Sequence, residues 1–164
     1  MKKLLKIVTP LFFFILISGC TNDNDLKRFD NNMTLDSSSF RIIKGMILGV
    51  SIGDSGHTAI TLISGTTTEV KTLTLDIPTF TEEAVPGTYT YPQQNGKELL
   101  NDWLTNYMYF INGSAMSTNL QSGTATITHN TDNNYTVTVD LTMKNGMIFK
   151  GTYSGDFQVQ FQNN

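Results

Sequence analysis

The sequence predicts an all-β protein, and three of its features carry that prediction. Apolar and polar residues alternate over 135–143, which is the period of a strand with one buried face. Runs of the same kind recur about every 8 to 12 residues, separated by short turn-forming segments. Only residues 98–104 have a spacing that suits a helix, of about one or two turns.

The strands are predicted in chain order from this pattern. Asn145-Gly146, between the last two long strands, is the strongest hairpin signal and predicts a primed turn. Gly151 and Gly155 interrupt the last strand and predict bends or bulges. The predicted strands cover residues 40–52, 58–63, 70–77, 87–91, 107–111, 123–129, 135–143 and 149–161.

A series of about eight hairpin-linked strands favours a single antiparallel meander, which closes most simply into a barrel of the lipocalin or streptavidin shape. A two-sheet β-sandwich is the alternative. The last three strands, over Gly123 to Phe161, resemble the C-terminal ends of small Bacteroidota lipoproteins with calycin-like β domains. This resemblance implies a fold and a cellular setting, and it supplies no functional residue.

Residues 1–19 predict a signal for export. Lysines at positions 2, 3 and 6 precede an apolar run over residues 7–17. A transmembrane anchor is the alternative, but a spanning helix needs about 20 residues and this run has about 11. Pro10 also interrupts the run.

The end of this segment, Ile17-Ser18-Gly19-Cys20, resembles the lipobox of bacterial lipoproteins, which are cleaved before a cysteine that has accepted a diacylglycerol. The resemblance implies a lipid anchor on Cys20 and hence the membrane as a partner. Thr21, rather than an aspartate, follows Cys20. By analogy with the lipoproteins of enteric bacteria, this favours the outer membrane, on its periplasmic or cell-surface face. Cys20 is the chain's only cysteine, so no disulfide within the chain is possible.

The remaining chain divides into two parts. Residues 20–38 are polar and lack either apolar period, so they predict a flexible tether behind the lipidated cysteine. Asp23 and Asp25 resemble the acidic signal of surface-exposed Bacteroidota lipoproteins, and a solvated linker is the alternative. Residues 39–164 are predicted to form one β domain.

The charge of the chain argues against nucleic acid as a partner. The formal net charge is −3, and removing Lys2, Lys3 and Lys6 with the signal leaves about −6. Phosphate binding depends on clustered basic residues, and the densest basic spot, Lys27-Arg28, lies in the predicted tether.

No set of catalytic residues can be assembled from the sequence. Residues 53–56, Gly-Asp-Ser-Gly, look like the segment around the nucleophile of trypsin-like proteases, but no histidine precedes Ser55. His57 would share a side of an extended strand with Ser55, and no third group is identifiable. His57 and His129 are the only histidines and lack ligand spacing, so we predict a non-enzyme without metal or cofactor.

Aromatic residues concentrate in the least regular part of the chain. Aromatic platforms beside polar side chains suit sugar rings or apolar ligands, and residues 101, 102 and 106 supply polar groups. The alternative is that these aromatics plug one end of the barrel. The candidate binding residues are Tyr89, Tyr91, Trp103, Tyr107 and Tyr109.

The expected function is therefore non-catalytic binding of a glycan or a small apolar ligand by a lipid-anchored outer-membrane protein. The alternative is a structural or interaction subunit of a cell-surface complex, docked by a strand edge or by the aromatic patch. The interior separates the two, because a small-molecule site needs a cavity of about 300 Å³ or more.

Overall fold

The computed structural model describes residues 27–52, 55–66 and 68–162, apart from the side chains of Ile52 and Ser55. The predicted signal peptide and Cys20 lie outside the described residues. The described chain forms twelve strands and one 3-10 turn, Glu82–Ala84. None of its segments is a helix with the length and apolarity that crossing a bilayer requires. The strands are β1 (Asp30–Asn31), β2 (Thr34–Leu35), β3 (Ser38–Ser39), β4 (Ile42–Ile52), β5 (Ser55–Gly65), β6 (Glu69–Ile77), β7 (Gly87–Tyr91), β8 (Glu98–Leu99), β9 (Asn106–Ile111), β10 (Ser114–Thr131), β11 (Asn134–Met143) and β12 (Ile148–Gln162).

These strands form one mixed sheet that folds into two halves, and β10 and β12 belong to both. In half-sheet A, β11 lies between residues 120–131 of β10 and residues 148–156 of β12. In half-sheet B, residues 157–162 of β12 pair with β4 in parallel, and β5, β6 and β9 follow up to residues 114–119 of β10. The pairings thus run around a ring of seven strands, which is closed unevenly by the short parallel β12–β4 pair.

The all-β prediction is confirmed, whereas the eight-stranded antiparallel meander is not. β12 meets β4 in parallel, and β7 pairs with β10 rather than with the next long strand in the chain, β9. β10 is also much longer than the predicted strand over 123–129, because its first six residues complete the β9 hairpin. Such non-local pairings leave no local signal in the sequence.

The predicted alternation of β11 is confirmed. The residues at odd positions of this strand are 0–2 % exposed and face the core, while Thr138 and Asp140 between them are exposed. On the returning strand, Phe149 and Phe157 continue the same buried face. The buried odd-numbered residues of β11 are Tyr135, Val137, Val139, Leu141 and Met143.

The structured domain begins upstream of residue 39, its predicted start. The two-residue strands β1 and β2 pair with β12, and Met33 between them is 1 % exposed. Gly151 makes room for this segment: an added Cβ there would lie 2.6 Å from the Asn32 carbonyl oxygen. Strands of two residues are too short to show a period, so the sequence gives this segment the appearance of a linker.

The predicted helix over 98–104 is wrong. Residues 98–99 form β8, which pairs with β7, and residues 102–104 form a turn. The Asn101 amide donates to the Asp76 carbonyl oxygen, at 3.0 Å. The segment therefore follows the edge of β6 instead of bonding to itself as a helix would.

The predicted β11–β12 hairpin is present with a different turn. The Gly146 amide donates to the Met143 carbonyl oxygen, and Met143 bonds to Met147 across a three-residue loop. Gly146 has a φ of +88°, whereas Asn145 lies outside the left-handed region that a primed turn requires of both central residues. The two-residue loop Asn112-Gly113 between β9 and β10 has positive φ at both positions.

Substitution of Gly146 tests this loop. The left-handed conformation costs a residue with a side chain roughly 1–2 kcal/mol, and no atom lies within 4 Å of an added Cβ, so the loss is conformational. We expect Gly146→Val to lower the free energy of unfolding by about that amount in urea denaturation. Gly146→Asn should lose less, because Asn tolerates this region; equal losses would contradict the assignment.

Candidate functional site

The five aromatic residues of the predicted platform differ in their burial. Tyr89 is fully buried on β7, and its hydroxyl proton is shared between the carbonyl oxygens of Ala84 and Val85, at 3.0 and 2.9 Å. Burial raises the pKa of Tyr89 to about 12. Tyr89 is therefore a core residue, as the plug interpretation predicted.

Tyr107 is also a core residue. It is 5 % exposed, and its ring contacts Phe149 and Phe40 with ring centroids 5.1 and 6.3 Å away. Burial raises the pKa of Tyr107 to about 12 as well. Tyr91 and Tyr109 are partly buried and pack against the same core.

Trp103 is the exception, because 78 % of it is exposed. It lies in the loop over residues 100–105, between β8 and β9. A plug residue would be buried, so the plug interpretation is wrong for Trp103. The structure thus reduces the aromatic platform to one exposed indole.

The backbone of this loop is held at several points although the indole is exposed. The Asn101 side-chain oxygen accepts hydrogen bonds from the Trp103 and Leu104 amides, at 3.0 and 3.2 Å. The Thr105 amide donates to the Asn101 carbonyl oxygen, and the Asn119 side chain donates to the Trp103 carbonyl oxygen. The indole is therefore presented to solvent from a backbone with little freedom to move.

Asp76 on β6 fixes this loop to the sheet. Its amide donates to the Thr105 hydroxyl, and its carbonyl oxygen accepts from the Asn101 amide, both at 3.0 Å. The Asp76 side chain is 6 % exposed and accepts hydrogen bonds from the Asn101 side chain and from His57 Nδ1. Burial raises the pKa of Asp76 above its ordinary value, against the opposing effect of His57.

His57 occupies the outer end of this hydrogen-bonded chain. Its Nδ1 lies 2.9 Å from Asp76 Oδ1, and its side chain is 47 % exposed. Asp76 is thus a carboxylate partner of His57 that the sequence did not identify. The Ser55 side chain lies outside the described part, and within that part no three His, Cys, Asp or Glu residues are grouped to hold a metal.

Charged and amide side chains lie at the loop that carries the indole. Lys144 Nζ lies 5.9 Å from the centroid of the Trp103 ring and 3.5 Å from Asp102 Oδ2. The Asn106 side chain donates to the Leu104 carbonyl oxygen, at 2.8 Å. Of the predicted polar groups, Asp102 and Asn106 thus lie at the loop surface, whereas Asn101 turns back onto the backbone. Lys144, in the turn after β11, and Asn119, on β10, are remote in the chain and were not predicted.

The cleft beside Tyr107 and Tyr109 is too small for a ligand of the expected size. Its volume is about 30 Å³, which suits a single water molecule, whereas small-molecule sites occupy about 300–1,000 Å³. The core residues Phe40, Tyr107 and Phe149 fill the adjoining space with their edge-to-face rings. Among the residues of the predicted platform, Trp103 is therefore the better candidate for a binding surface.

Comparison with protein families, with curated proteins and with solved structures gives no significant match to this chain.

The raised pKa of Asp76 predicts a pH effect. The folded chain holds the Asp76 proton more tightly than the unfolded chain, because the pKa of Asp76 is higher in the folded state. Protonation of Asp76 therefore stabilises the fold as the pH falls through the folded pKa towards 3.8, the ordinary pKa of the group. That added stability is lost as the pH rises again through the folded pKa. In Asp76→Asn the amide cannot titrate, so the wild-type chain should gain stability relative to the variant as the pH falls.

Urea denaturation of both proteins at neutral pH and near pH 3.8 measures this difference. A difference that is constant or reversed with pH would contradict the assigned environment of Asp76.

Proposed function

We propose that this protein is a non-catalytic, lipid-anchored outer-membrane protein that binds glycan through Trp103. The observation that carries the proposal is an indole that is 78 % exposed on a loop fixed by Asn101 and Asp76. Folding gains little from burial of a side chain in this position. A rigidly held exposed aromatic is, in contrast, an efficient recognition element, because little freedom is lost when it binds.

Glycan is the ligand class that the surroundings of Trp103 support best. An indole ring offers an apolar face to the C–H face of a sugar. Lys144 and Asp102 beside it supply a donor and an acceptor for hydroxyl groups. The Asn106 and Asn119 side chains use their amide nitrogens on the loop, which leaves their oxygens to accept from a ligand.

The fold separates this loop from the proposed anchor. The chain enters the domain at Arg28, whose amide donates to the Asn134 side chain at the start of β11. Lys144, which contacts Trp103, follows directly after the end of β11. Since a strand rises about 3.4 Å per residue, the ten-residue strand β11 separates the two points by about 30 Å.

A protein partner is the second candidate for Trp103. Tryptophan is enriched among the residues that dominate binding at protein interfaces, and Trp103 is exposed. This candidate corresponds to the interaction subunit of a cell-surface complex.

Substitution of Trp103 tests the proposal. We expect Trp103→Ala to abolish binding on a glycan array and to change the free energy of unfolding by about 0.5 kcal/mol or less, because the side chain is exposed. Tyr107→Ala is the contrasting control and should lose about 3–5 kcal/mol as a buried aromatic. Absence of any glycan signal, together with Trp103-dependent capture of a membrane protein, would favour the protein partner.

Substitution of Cys20 tests the anchor. Cys20→Ser removes the thiol that would accept the lipid, so we expect unprocessed or water-soluble protein. Wild-type protein should partition into the detergent phase of a Triton X-114 extraction. Mature Cys20→Ser protein that still partitions into detergent would contradict the anchor.

A further inference from the structure

Half-sheet B carries exposed apolar side chains on its outer face, towards the end where β9 turns into β10. Val70 on β6 and Phe110 on β9 are 43 % and 46 % exposed and lie directly opposite each other. Met108, two residues before Phe110 on the same face, is 40 % exposed. Monomeric proteins rarely leave contiguous patches of this kind without a function.

The same face continues across the neighbouring strands to the N-terminal segment. Thr72, opposite Met108, pairs on its other side with Ile63, which in turn pairs with Lys44. Ile43 lies at the register shift beside Lys44 and is 62 % exposed. We call the residues Phe29, Ile43, Ile63, Val70, Met108 and Phe110 the apolar band.

Phe29 connects this band with the N-terminal segment. Met33 accepts a hydrogen bond from the Phe40 amide, and the Asn31 side chain bonds to both the amide and the carbonyl oxygen of Ile42. Phe29, which is 72 % exposed, lines a surface groove with Asp156 of β12. The next residue of β12, Phe157, pairs with Gly45 of β4, directly after Ile43 and Lys44. The apolar band therefore begins where the chain enters the domain.

The length of chain before the domain restricts what can cover the band. Six residues separate Cys20 from Lys27, so a lipid on Cys20 lies within about 25 Å of Lys27 even when the tether is fully extended. Lys27 is held at the domain by Asp156, at 3.4 Å. An anchored domain thus has the Phe29 end of the band close to the bilayer.

The charges beside the band also suit a lipid surface. Residues 27–44 contain four of the eleven basic residues of the chain, namely Lys27, Arg28, Arg41 and Lys44, and two acidic ones. The chain as a whole is net acidic. Basic residues next to exposed apolar side chains are typical of surfaces that bind at the membrane interface.

We propose that the apolar band lies on the surface of the membrane that holds the anchor, with its side chains in the interface and Arg41 and Lys44 at lipid phosphates. The proposal rests on the proposed lipid anchor. It restricts the orientation of the domain, because the band occupies the outer face of half-sheet B towards the β9–β10 turn, whereas Trp103 lies in the loop at the other end of β9.

Site-directed fluorescence tests the orientation. An acylated Cys20 cannot be alkylated, so a cysteine introduced by Met108→Cys is the only reactive thiol and takes the polarity-sensitive fluorophore NBD. Asp140→Cys on the exposed outer face of half-sheet A is the matched control. The full chain is expressed, and its processed product is reconstituted into phosphatidylcholine vesicles with phosphatidylglycerol and a doxyl-labelled lipid.

We expect the doxyl lipid to remove most of the emission from position 108 and none from position 140. Equal quenching at the two positions, or a water-exposed probe at 108 on bound protein, would overturn the proposal. A probe at 108 that is shielded only in native membranes containing other proteins would also overturn it and indicate a protein partner. NBD labelling of the parent chain reveals a free Cys20, so loss of the anchor is detected separately.

Discussion

The fold depends on the sharing of β10 and β12 between two half-sheets. Each of these strands is long, and each changes partners part of the way along its length: β10 between Asn119 and Leu120, β12 after Asp156. A register shift between Leu120 and Ser122 accompanies the change in β10. In β12 the Phe157 amide donates to the carbonyl oxygen of Asn133, directly before β11 begins. Two separate half-sheets would each need another layer to cover their apolar face, whereas the shared strands let the two faces cover each other.

The Trp103 loop is a consequence of this arrangement. The pairing of β9 with β6 stops at Asn106 and Thr74. It stops there because the chain before Asn106 arrives from the other half-sheet. The edge of β6 beyond Thr74 would otherwise leave its backbone groups unpaired, and Asn101 and Thr105 bond to Asp76 instead. Burial of the Asp76 carboxylate is costly, and its hydrogen bonds with His57 and Asn101 offset part of that cost. The same contacts that complete the sheet edge therefore hold the indole in place.

The sequence predicted the local features of this fold and missed the features that depend on distant contacts. Seven of the predicted strands match long strands of the structure within a few residues, and the alternation of β11 identified its buried face. The segment over 98–104 was misassigned, because its partner β6 is remote in the chain. Trp103 was identified as a candidate because aromatic residues are concentrated in this part of the sequence. Its exposure could not be predicted, since a buried cluster and an exposed platform show the same concentration of aromatic residues. Asp76 was missed because an isolated aspartate in an apolar strand gives no sign of His57 as its partner.

The attachment of the N-terminal segment links the two proposals physically. The Asn134 side chain is buried and makes four hydrogen bonds, two of them to the amide and the carbonyl group of Arg28. Leaving these buried groups unpaired would cost about 1–3 kcal/mol each, so the segment from Arg28 onward moves with the domain. A freely jointed tether would let the domain rotate above a membrane, whereas a chain fixed at Arg28 and only six residues from Cys20 restricts that rotation. Under the proposed anchor, the orientation of the Trp103 loop is then determined by the fold and by the face that meets the lipid.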